Sequence, residues 1–201
     1  MMTSSSKVVL LCLTACVAAA ATPSELDRKL FDSCGRGEIE QVLMLLEQGA
    51  RADAVFEEGE TSLHVAGIKG ITGIAEALLA AGADPNVAAT GEHSLQFAPL
   101  HWWVYSSMPK EQRAAGIAAL LGAGAKASAV VFDEEGSERT AVDIVQSLIG
   151  ALGAEAEADG RFADMAALRA AGGLSIKELR NYKRAAARLK AARERGASSE
   201  L

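Results

Sequence analysis

The fold is decided by the segment Leu63-His-Val-Ala-Gly-Ile-Lys-Gly70, which is followed by Leu78-Leu79-Ala-Ala-Gly82-Ala83. An earlier copy reads Leu30-Phe-Asp-Ser-Cys-Gly-Arg-Gly37 and then Leu45-Leu46-Glu-Gln-Gly49-Ala50. The two copies align without a gap at an interval of 33 residues. Self-similarity at a fixed interval of this length is typical of an architecture that stacks one structural unit on the next.

Two further copies follow in the second half of the chain. The third runs from Ala98-Pro99-Leu100-His101 to Leu120-Leu121-Gly-Ala-Gly124-Ala125, with nine extra residues in its connections. The fourth and weaker copy runs from Thr140-Ala-Val142-Asp-Ile-Val145 to Leu168-Arg-Ala-Ala-Gly172, with an extra loop expected at residues 155–160. Insertions in surface connections cost little free energy, so we predict four units.

Each copy contains two short apolar stretches with helical spacing. In the second copy these stretches are residues 63–66 and 74–78, and Gly70 separates them. Glycine adopts the left-handed C-cap conformation without the steric penalty of a Cβ atom. Each copy is therefore predicted to be a helix-turn-helix unit, with Thr61 and Thr140 placed to cap first helices.

The combined motif resembles the ankyrin repeat, whose unit contains Gly-x-Thr-Pro-Leu-His-x-Ala and ends in Leu-Leu-x-x-Gly-Ala-Asp. The matching residues are Gly59-Glu-Thr61-Ser-Leu63-His64-Val-Ala66 and Gly82-Ala-Asp-Pro-Asn86, and Pro99-Leu100-His101 matches again. The resemblance covers residues 24–173. It implies an all-α ankyrin-repeat solenoid of about four helix-turn-helix units over residues 22–174.

The resemblance also implies roles for individual positions. His64 and His101 occupy the signature position at which the family bonds backbone between repeats. Ser62 departs from the family proline, the first copy lacks Thr-Pro-Leu-His, and Trp102-Trp103 stand where a small residue is normal. We therefore expect altered packing in the third unit.

In ankyrin-like proteins the hairpin fingers and first helices line a concave surface that binds another protein. Mapped onto this sequence, the implied partner-binding positions are Glu57, Glu58, Glu60, Ile68 and Lys69 in the second unit, Phe97 and Tyr105 in the third, and Arg139 in the fourth. We expect a non-enzymatic protein–protein interaction module that requires no cofactor and no small-molecule substrate.

Two of the predicted fingers carry acidic tips. Val55-Phe56-Glu57-Glu58-Gly59 recurs as Val131-Phe132-Asp133-Glu134-Glu135-Gly136, in each case just before a first helix. One interpretation is that the carboxylates keep the tips soluble and prevent edge association. The other is that they recruit a basic partner, with Phe97 and Tyr105 supplying buried contact area.

The N-terminus predicts export. Residues 8–21 form an unbroken apolar run, too short for a membrane span, that ends in Ala19-Ala20-Ala21. We expect a signal cleaved after residue 21 and a secreted or periplasmic location. Leu13-Thr14-Ala15-Cys16 also resembles a lipobox, so a lipoprotein tethered through Cys16 stays open. Cleavage leaves Cys34 alone, which we interpret as a core residue.

The segment 175–201 differs in charge from the rest of the chain. Residues 22–174 carry 11 basic and 23 acidic side chains, whereas residues 175–195 carry eight basic and two acidic ones. Ser175-Ile-Lys-Glu178 is a capping box, and apolar residues then recur at helical spacing. Three uses of this basic amphipathic helix stay open: a cap on the last repeat, contact with anionic lipid or nucleic acid, or an occluder of the acidic fingers.

Composition and motifs argue against catalysis. Half of the residues are apolar and only nine are aromatic, which favours close-packed helices. The metal-protease, dithiol, nucleophile-elbow and phosphate-loop spacings are missing. We therefore expect no catalytic residue and no metal site, and the sequence disfavours a nucleic-acid partner apart from the use left open for the basic helix. The alternatives are a membrane-tethered adaptor and a small metal-dependent hydrolase built from His93, His101 and acidic loops.

Overall fold

The computed structural model describes residues 22–91, 95–132 and 135–197, with side-chain surroundings described as far as residue 188. The predicted export signal at residues 1–21, which contains Cys16, lies outside the described residues. The same holds for His93 and for Asp133 and Glu134 of the second acidic tip.

Helices dominate the described chain and fall into four consecutive pairs followed by one long helix. The pairs are α1 (Glu25–Arg36) with α2 (Ile39–Glu47), α3 (Ser62–Lys69) with α4 (Thr72–Ala80), α5 (Pro99–Tyr105) with α6 (Lys110–Gly122), and α7 (Ala141–Leu152) with α8 (Arg161–Ala170). The last helix is α9 (Ile176–Ala197), and short 3₁₀ turns occur at Glu57–Gly59 and Gly153–Ala156. A two-stranded hairpin, β1 (Val131–Phe132) and β2 (Glu138–Arg139), precedes α7.

The pairs stack in chain order. First helices contact the first helices of neighbouring units, and second helices contact second helices. A single hydrophobic cluster runs through the stack from Leu30 to Leu168, and Leu46 and Leu79 pack against it. This confirms the predicted all-α solenoid. A lone helix pair has no other surface on which to bury its apolar side.

The predicted helix stops and caps are present. Gly37 and Gly70 end α1 and α3 in the left-handed conformation, with φ of 76° and 72°. At the start of α7 the Thr140 hydroxyl accepts from the Asp143 amide at 3.3 Å, while Asp143 accepts from the Thr140 amide at 3.0 Å. Glycine spacing and hydroxyl position therefore set the length of the units.

The two signature histidines join neighbouring units, as the resemblance implies. The amide of Thr61 donates to His64 Nδ1 at 3.1 Å, so the neutral ring carries its proton on Nε2, which donates to the Phe97 carbonyl at 3.0 Å. His101 Nε2 lies 3.3 Å from the Ala129 carbonyl, but its buried Nδ1 has no hydrogen-bond partner among the described residues. Ala98 stands where Thr61 stands one unit earlier and lacks the hydroxyl.

The tryptophan pair alters packing in the third unit, as expected. Trp103 is fully buried at the position of Ala66. A Cβ atom on Gly116 would lie 2.2 Å from the Trp103 ring, and one on Gly67 would lie 3.0 Å from it. The second unit has Ile74 at the position of Gly116. A large residue on the first helix is thus accommodated by a small one on the second.

Buried charges join the extra loop of the fourth unit to the third unit. The Arg113 side chain in α6 is fully buried, and its Nε donates to Asp164 Oδ2 at 2.6 Å. Its other nitrogens donate to the carbonyls of Met108 and Asp159. A buried guanidinium is tolerated only when it is paired and hydrogen-bonded in this way.

A second arginine completes this contact. Arg161 begins α8 and is 3% exposed. It donates to the carbonyls of Val104 at 2.6 Å and Ser106 at 2.8 Å, and its Nε lies 2.6 Å from Asp159 Oδ2. Arg161 therefore satisfies carbonyls at the C-terminal end of α5, which carry partial negative charge.

The C-terminal helix begins at its predicted capping box. The Ser175 amide donates to Glu178 at 2.8 Å, and the Ile176 amide donates to Asp143 of α7 at 2.9 Å. Tyr182, however, is 68% exposed, and all of residues 181–188 are exposed. The apolar stripe covers the last unit only over the first turns. Of the three uses left open by the sequence, the cap is therefore supported over the first turns of the helix.

Replacing Gly116 by alanine should destabilise the third unit. The new Cβ atom would overlap a buried Trp103 ring that has no free space, so we expect a loss of about 1–3 kcal/mol in the free energy of unfolding. Gly122→Ala is the matched control, because nothing lies within 4 Å of a Cβ atom there. The control should be neutral or gain up to about 1 kcal/mol in urea unfolding. Equal midpoints for both variants would contradict the packing.

Acid should weaken the stack through the histidines. Burial lowers the pKa of both His64 and His101 to about 4, so between pH 6.5 and pH 4 the unfolded chain binds protons that the folded chain excludes. Stability is then full above pH 6.5 and falls with decreasing pH, by on the order of 2 kcal/mol per histidine between pH 7 and pH 5. Urea unfolding at several pH values measures the slope. A His101→Gln variant that keeps the full slope would refute the assignment.

Candidate protein-binding surface

One face of the stack combines the first helices with the fingers that precede them. We call it the finger face. Aligning Leu63 with Leu100, and Thr61 with Thr140, identifies equivalent positions along it. Ile68, Tyr105 and Ser147 are equivalent on the first helices. Glu60, Phe97 and Arg139 are equivalent on the fingers. Five of the predicted partner-binding residues thus occupy only two equivalent positions, one on the first helices and one on the fingers.

The first depression on this face is acidic. It encloses about 940 Å³ between α1 and the finger of the second unit. The carboxylates that line this acidic groove are Asp32, Asp53, Glu57, Glu58 and Glu60. Two guanidinium groups, Arg28 and Arg51, oppose them. The acidic groove therefore carries an excess of negative charge and contains three of the predicted site residues.

One of those two arginines is held by a buried carboxylate. Asp27 is 1% exposed and accepts from the Arg51 amide at 2.7 Å and from its side chain at 2.8 Å. Burial alone would raise the pKa of Asp27, but the hydrogen bonds from Arg51 and Ser24 bring it to about 2. The positive charge of Arg51 is thus compensated by Asp27. Arg51 therefore offsets less of the negative charge of the groove carboxylates.

Negative charges also crowd one another in the groove. Burial and the neighbouring Glu58 both raise the pKa of Glu60. A cationic group entering the groove would relieve this repulsion, because an opposite charge favours the ionised carboxylate. The electrostatics of the acidic groove therefore favour a basic ligand.

The acidic tip is held in place by the next finger. Glu58 has a left-handed backbone (φ 65°), and its carbonyl accepts from the Gly91 amide at 2.9 Å. A Cβ atom on Gly91 would lie 2.4 Å from the Glu58 side chain, and one on Gly59 would lie 2.7 Å from Thr90. Only glycine permits this approach of the two fingers. The Glu57–Gly59 tip is consequently a packed feature.

The second depression is apolar and lies between the third and fourth units. It encloses about 330 Å³. The apolar residues that line this apolar groove are Leu95, Phe97, Tyr105, Ile144 and Leu148. Glu135, Arg139 and Ser147 form its polar border. Three predicted site residues, Phe97, Tyr105 and Arg139, are therefore brought together here.

The expectation that Phe97 is an exposed aromatic anchor is wrong. Phe97 is 3% exposed, whereas Tyr105 is 51% exposed. The Phe97 ring lies 5.1 Å from Trp102 and 6.0 Å from Tyr105, both in edge-on arrangements. Phe97 therefore forms the floor of the apolar groove and supports Tyr105, and Tyr105 is the aromatic side chain available for contact.

The finger of the third unit repeats the backbone of the second with different residues. Leu95 and Gln96 have φ of 54° and 50°, matching the left-handed pair Glu58 and Gly59 one unit earlier. Left-handed backbone is costly for residues with a Cβ atom, roughly 1 kcal/mol each. The shared geometry places Leu95 in the apolar groove, where Glu58 lines the acidic one.

The remaining predicted residues lie between or beside the grooves. Ile68 is 44% exposed and Lys69 is exposed, but neither lines a groove. Sequence reasoning missed Asp32, Asp53 and Ile144. The signal for Asp32 and Ile144 was present, since both align with Val65 on the first helices, but their exposure depends on how the fingers fold back.

No alternative chemistry emerges from the described residues. Groups of three or more metal-binding side chains are absent from residues 22–91, 95–132 and 135–188. Cys34 is fully buried, and burial raises its pKa to about 12, in agreement with a core residue. None of the helices that the structure describes has the length and apolar content required to cross a membrane.

Stacked helix pairs, linked by fingers and by backbone-bonding histidines, define a helical repeat protein of the interaction type. The sequence model of the ankyrin repeat matches residues 58–90, which hold the second finger, α3 and α4. The chain is an ankyrin-repeat protein. Ankyrin repeats suggest a protein–protein interaction module and form a non-enzymatic fold.

Curated relatives match over the repeats. The chain is 43% identical over 72 residues to the human "Ankyrin repeat and SOCS box protein 16", which is 36% of this chain and 15% of that protein. It is 38% identical over 66 residues to the "Mitochondrial disaggregase" of Bos taurus and of Homo sapiens, covering 33% of this chain and 10% and 9% of those proteins. The match thus spans a small part of each relative.

Proposed function

We propose that this chain binds a protein partner on its finger face, with basic residues of the partner in the acidic groove and an apolar side chain in the apolar groove. The observation that supports this proposal is the presence of both grooves on one face of a stack that shares a single hydrophobic cluster. Charge complementarity would steer the partner, and burial of an anchor would supply affinity.

The spacing of the grooves suggests the length of the bound segment. The acidic groove belongs to the first two units and the apolar groove to the last two. Packed helices lie about 8–10 Å apart, so two units correspond to roughly 16–20 Å. About 11–13 residues of helix, or five to six residues of extended chain, span that distance. The partner segment is proposed to carry its basic and apolar contacts at such a separation.

Two arguments favour binding over catalysis. A hydrolase built on His93 and His101 would need an accessible His101 imidazole, but His101 is fully buried and bonds the Ala129 carbonyl. The basic side chains that oppose the carboxylates in the acidic groove are Arg28 and Arg51, and a guanidinium group stays protonated and does not act as a general base. The proposed activity of this chain is therefore recognition without chemical turnover.

We also propose that the chain is exported and acts in the secreted or periplasmic space. The support is the apolar run that precedes Thr22 and the small residues that close it. A membrane-tethered form, with lipid on Cys16, is the second candidate because of the lipobox-like segment.

Mass spectrometry of the protein from its native host tests export. Cleavage at the predicted site should give a mature chain that starts at Thr22, and lipoprotein processing should give a lipidated Cys16. A chain that retains Met1 and the following residues at steady state would refute both forms of the proposal.

Peptide selection tests the binding face. A displayed library of 15-residue peptides, panned against the full chain, should yield sequences with a Lys or Arg pair and an aromatic or Leu residue. Glu57→Lys/Glu58→Lys and Tyr105→Ala should each weaken a selected peptide about tenfold or more in fluorescence anisotropy. The salt dependence should decrease only in the charge variant.

Glu40→Lys/Glu47→Lys is the matched control, because it makes the same charge change on exposed positions of α2, away from the finger face. The control should bind the peptide within about twofold of the unmodified chain, because exposed charges far from the binding face contribute little to affinity. Equal weakening by both charge variants would point to a nonspecific charge effect and reject the proposed face. Urea unfolding of each variant checks that the fold is retained.

A further inference from the structure

The root of the basic helix α9 is fixed beside the finger of the fourth unit. The Ile176 amide donates to Asp143, and Arg180 forms an ion pair at 2.9 Å with Glu138 on β2. Glu178 accepts from Arg169 at 2.6 Å. These contacts belong to the first turns of the helix.

Beyond Arg180 the helix leaves the surface of its own chain. The described side chains of residues 181–188 are all exposed, although the helix continues without interruption to Ala197. From Tyr182 onward the helix is about 24 Å long at 1.5 Å per residue. Within the part whose side chains are described, Tyr182 is the aromatic residue and Lys183, Arg184 and Arg188 are exposed basic residues, none of which lines either groove.

We propose that the exposed half of α9 docks on the finger face of a second copy of this chain. The proposal rests on the binding surface proposed above and names an occupant for it. Opposite charge is the first argument, since residues 22–174 carry 12 net negative charges and residues 175–195 carry six net positive ones. The Arg180–Glu138 pair is an intramolecular example of tail arginine binding finger carboxylate.

Length is the second argument. With Tyr182 in the apolar groove, position 193 of the helix lies 11 residues further on, which corresponds to about 17 Å along the axis and, at 3.6 residues per turn, to nearly the same side of the helix. Position 193 is arginine, and this distance falls within the roughly 16–20 Å between the two grooves. One helix can therefore deliver an aromatic anchor and basic side chains to the grooves that suit them.

A second copy is favoured over a membrane as the occupant. The stripe that follows Tyr182 consists mainly of alanine, with Ala186 at the next helical position, so it offers little apolar area for insertion into lipid. The acidic body would also be repelled by an anionic bilayer. By contrast, every copy of the chain carries both the basic helix and an acidic finger face of opposite charge.

Analytical ultracentrifugation of the full chain over a range of concentrations tests the proposal. The chain should self-associate at low salt, and association should weaken by about tenfold or more in 0.5 M NaCl. Lys190→Glu/Arg193→Glu, which reverses the basic positions on the same side of the helix as Tyr182, and Glu57→Arg/Glu58→Arg should each remain monomeric alone. An equimolar mixture of these two variants should associate, because each reversed surface then meets one of opposite charge.

Glu40→Arg/Glu47→Arg on α2 is the matched control and should associate like the unmodified chain. A chain that stays monomeric at every concentration at low salt, or a mixture that fails to associate, would overturn the proposal. Binding of anionic vesicles by a monomeric chain, lost in the Lys190→Glu/Arg193→Glu variant, would do the same. Peptide binding to the finger face is measured in a separate experiment. A monomeric chain that still binds the selected peptides would refute self-association and leave the proposed function intact.

Discussion

Each helix pair in this chain buries its apolar side against its neighbours, and the proposed binding surface depends on that constraint. Leu63 and Leu100 are buried in one continuous cluster because first helices stack on first helices. The stacking sets the fingers side by side, and the grooves form between units. A groove of this kind has no counterpart in an isolated unit. The site is therefore a property of the stack, and loss of one interface would remove both packing and recognition.

The difference between the two grooves comes from substitutions on a shared backbone. Glu58 and Leu95 have the same left-handed conformation at equivalent finger positions, and Glu60 is replaced by Phe97 in the next unit. These two changes, together with Asp32 and Ile144 at an equivalent first-helix position, distinguish the charged depression from the apolar one. The buried Phe97 also accepts, through its carbonyl, the hydrogen bond from His64. The floor of the apolar groove is consequently held by the same contact that joins the second unit to the third.

The sequence predicted features that depend on local periodicity and missed those that depend on distant contacts. The four units, the Thr140 cap and the buried Cys34 follow from spacing and residue type. The burial of Phe97 does not, because it lies after an insertion whose path the interval of 33 residues does not define. The pairing of Arg113 with Asp164 joins residues 51 positions apart, and no periodic signal connects them. The site was predicted by resemblance at single positions, but its division into two grooves required the packed fingers.

The C-terminal helix contacts the end of the stack through its first turn, whereas most of its basic residues follow later. Its first turn satisfies the end of the stack, since Asp143 of the last first helix accepts both its own cap amide from Thr140 and the amide of Ile176. Nothing in this contact requires the basic residues that follow Arg180. Within one molecule, the exposed Lys183, Arg184 and Arg188 do not line the acidic groove, where burial and Glu58 already raise the pKa of Glu60. The proposed docking of this helix on a second copy would bring opposite charges of body and helix together.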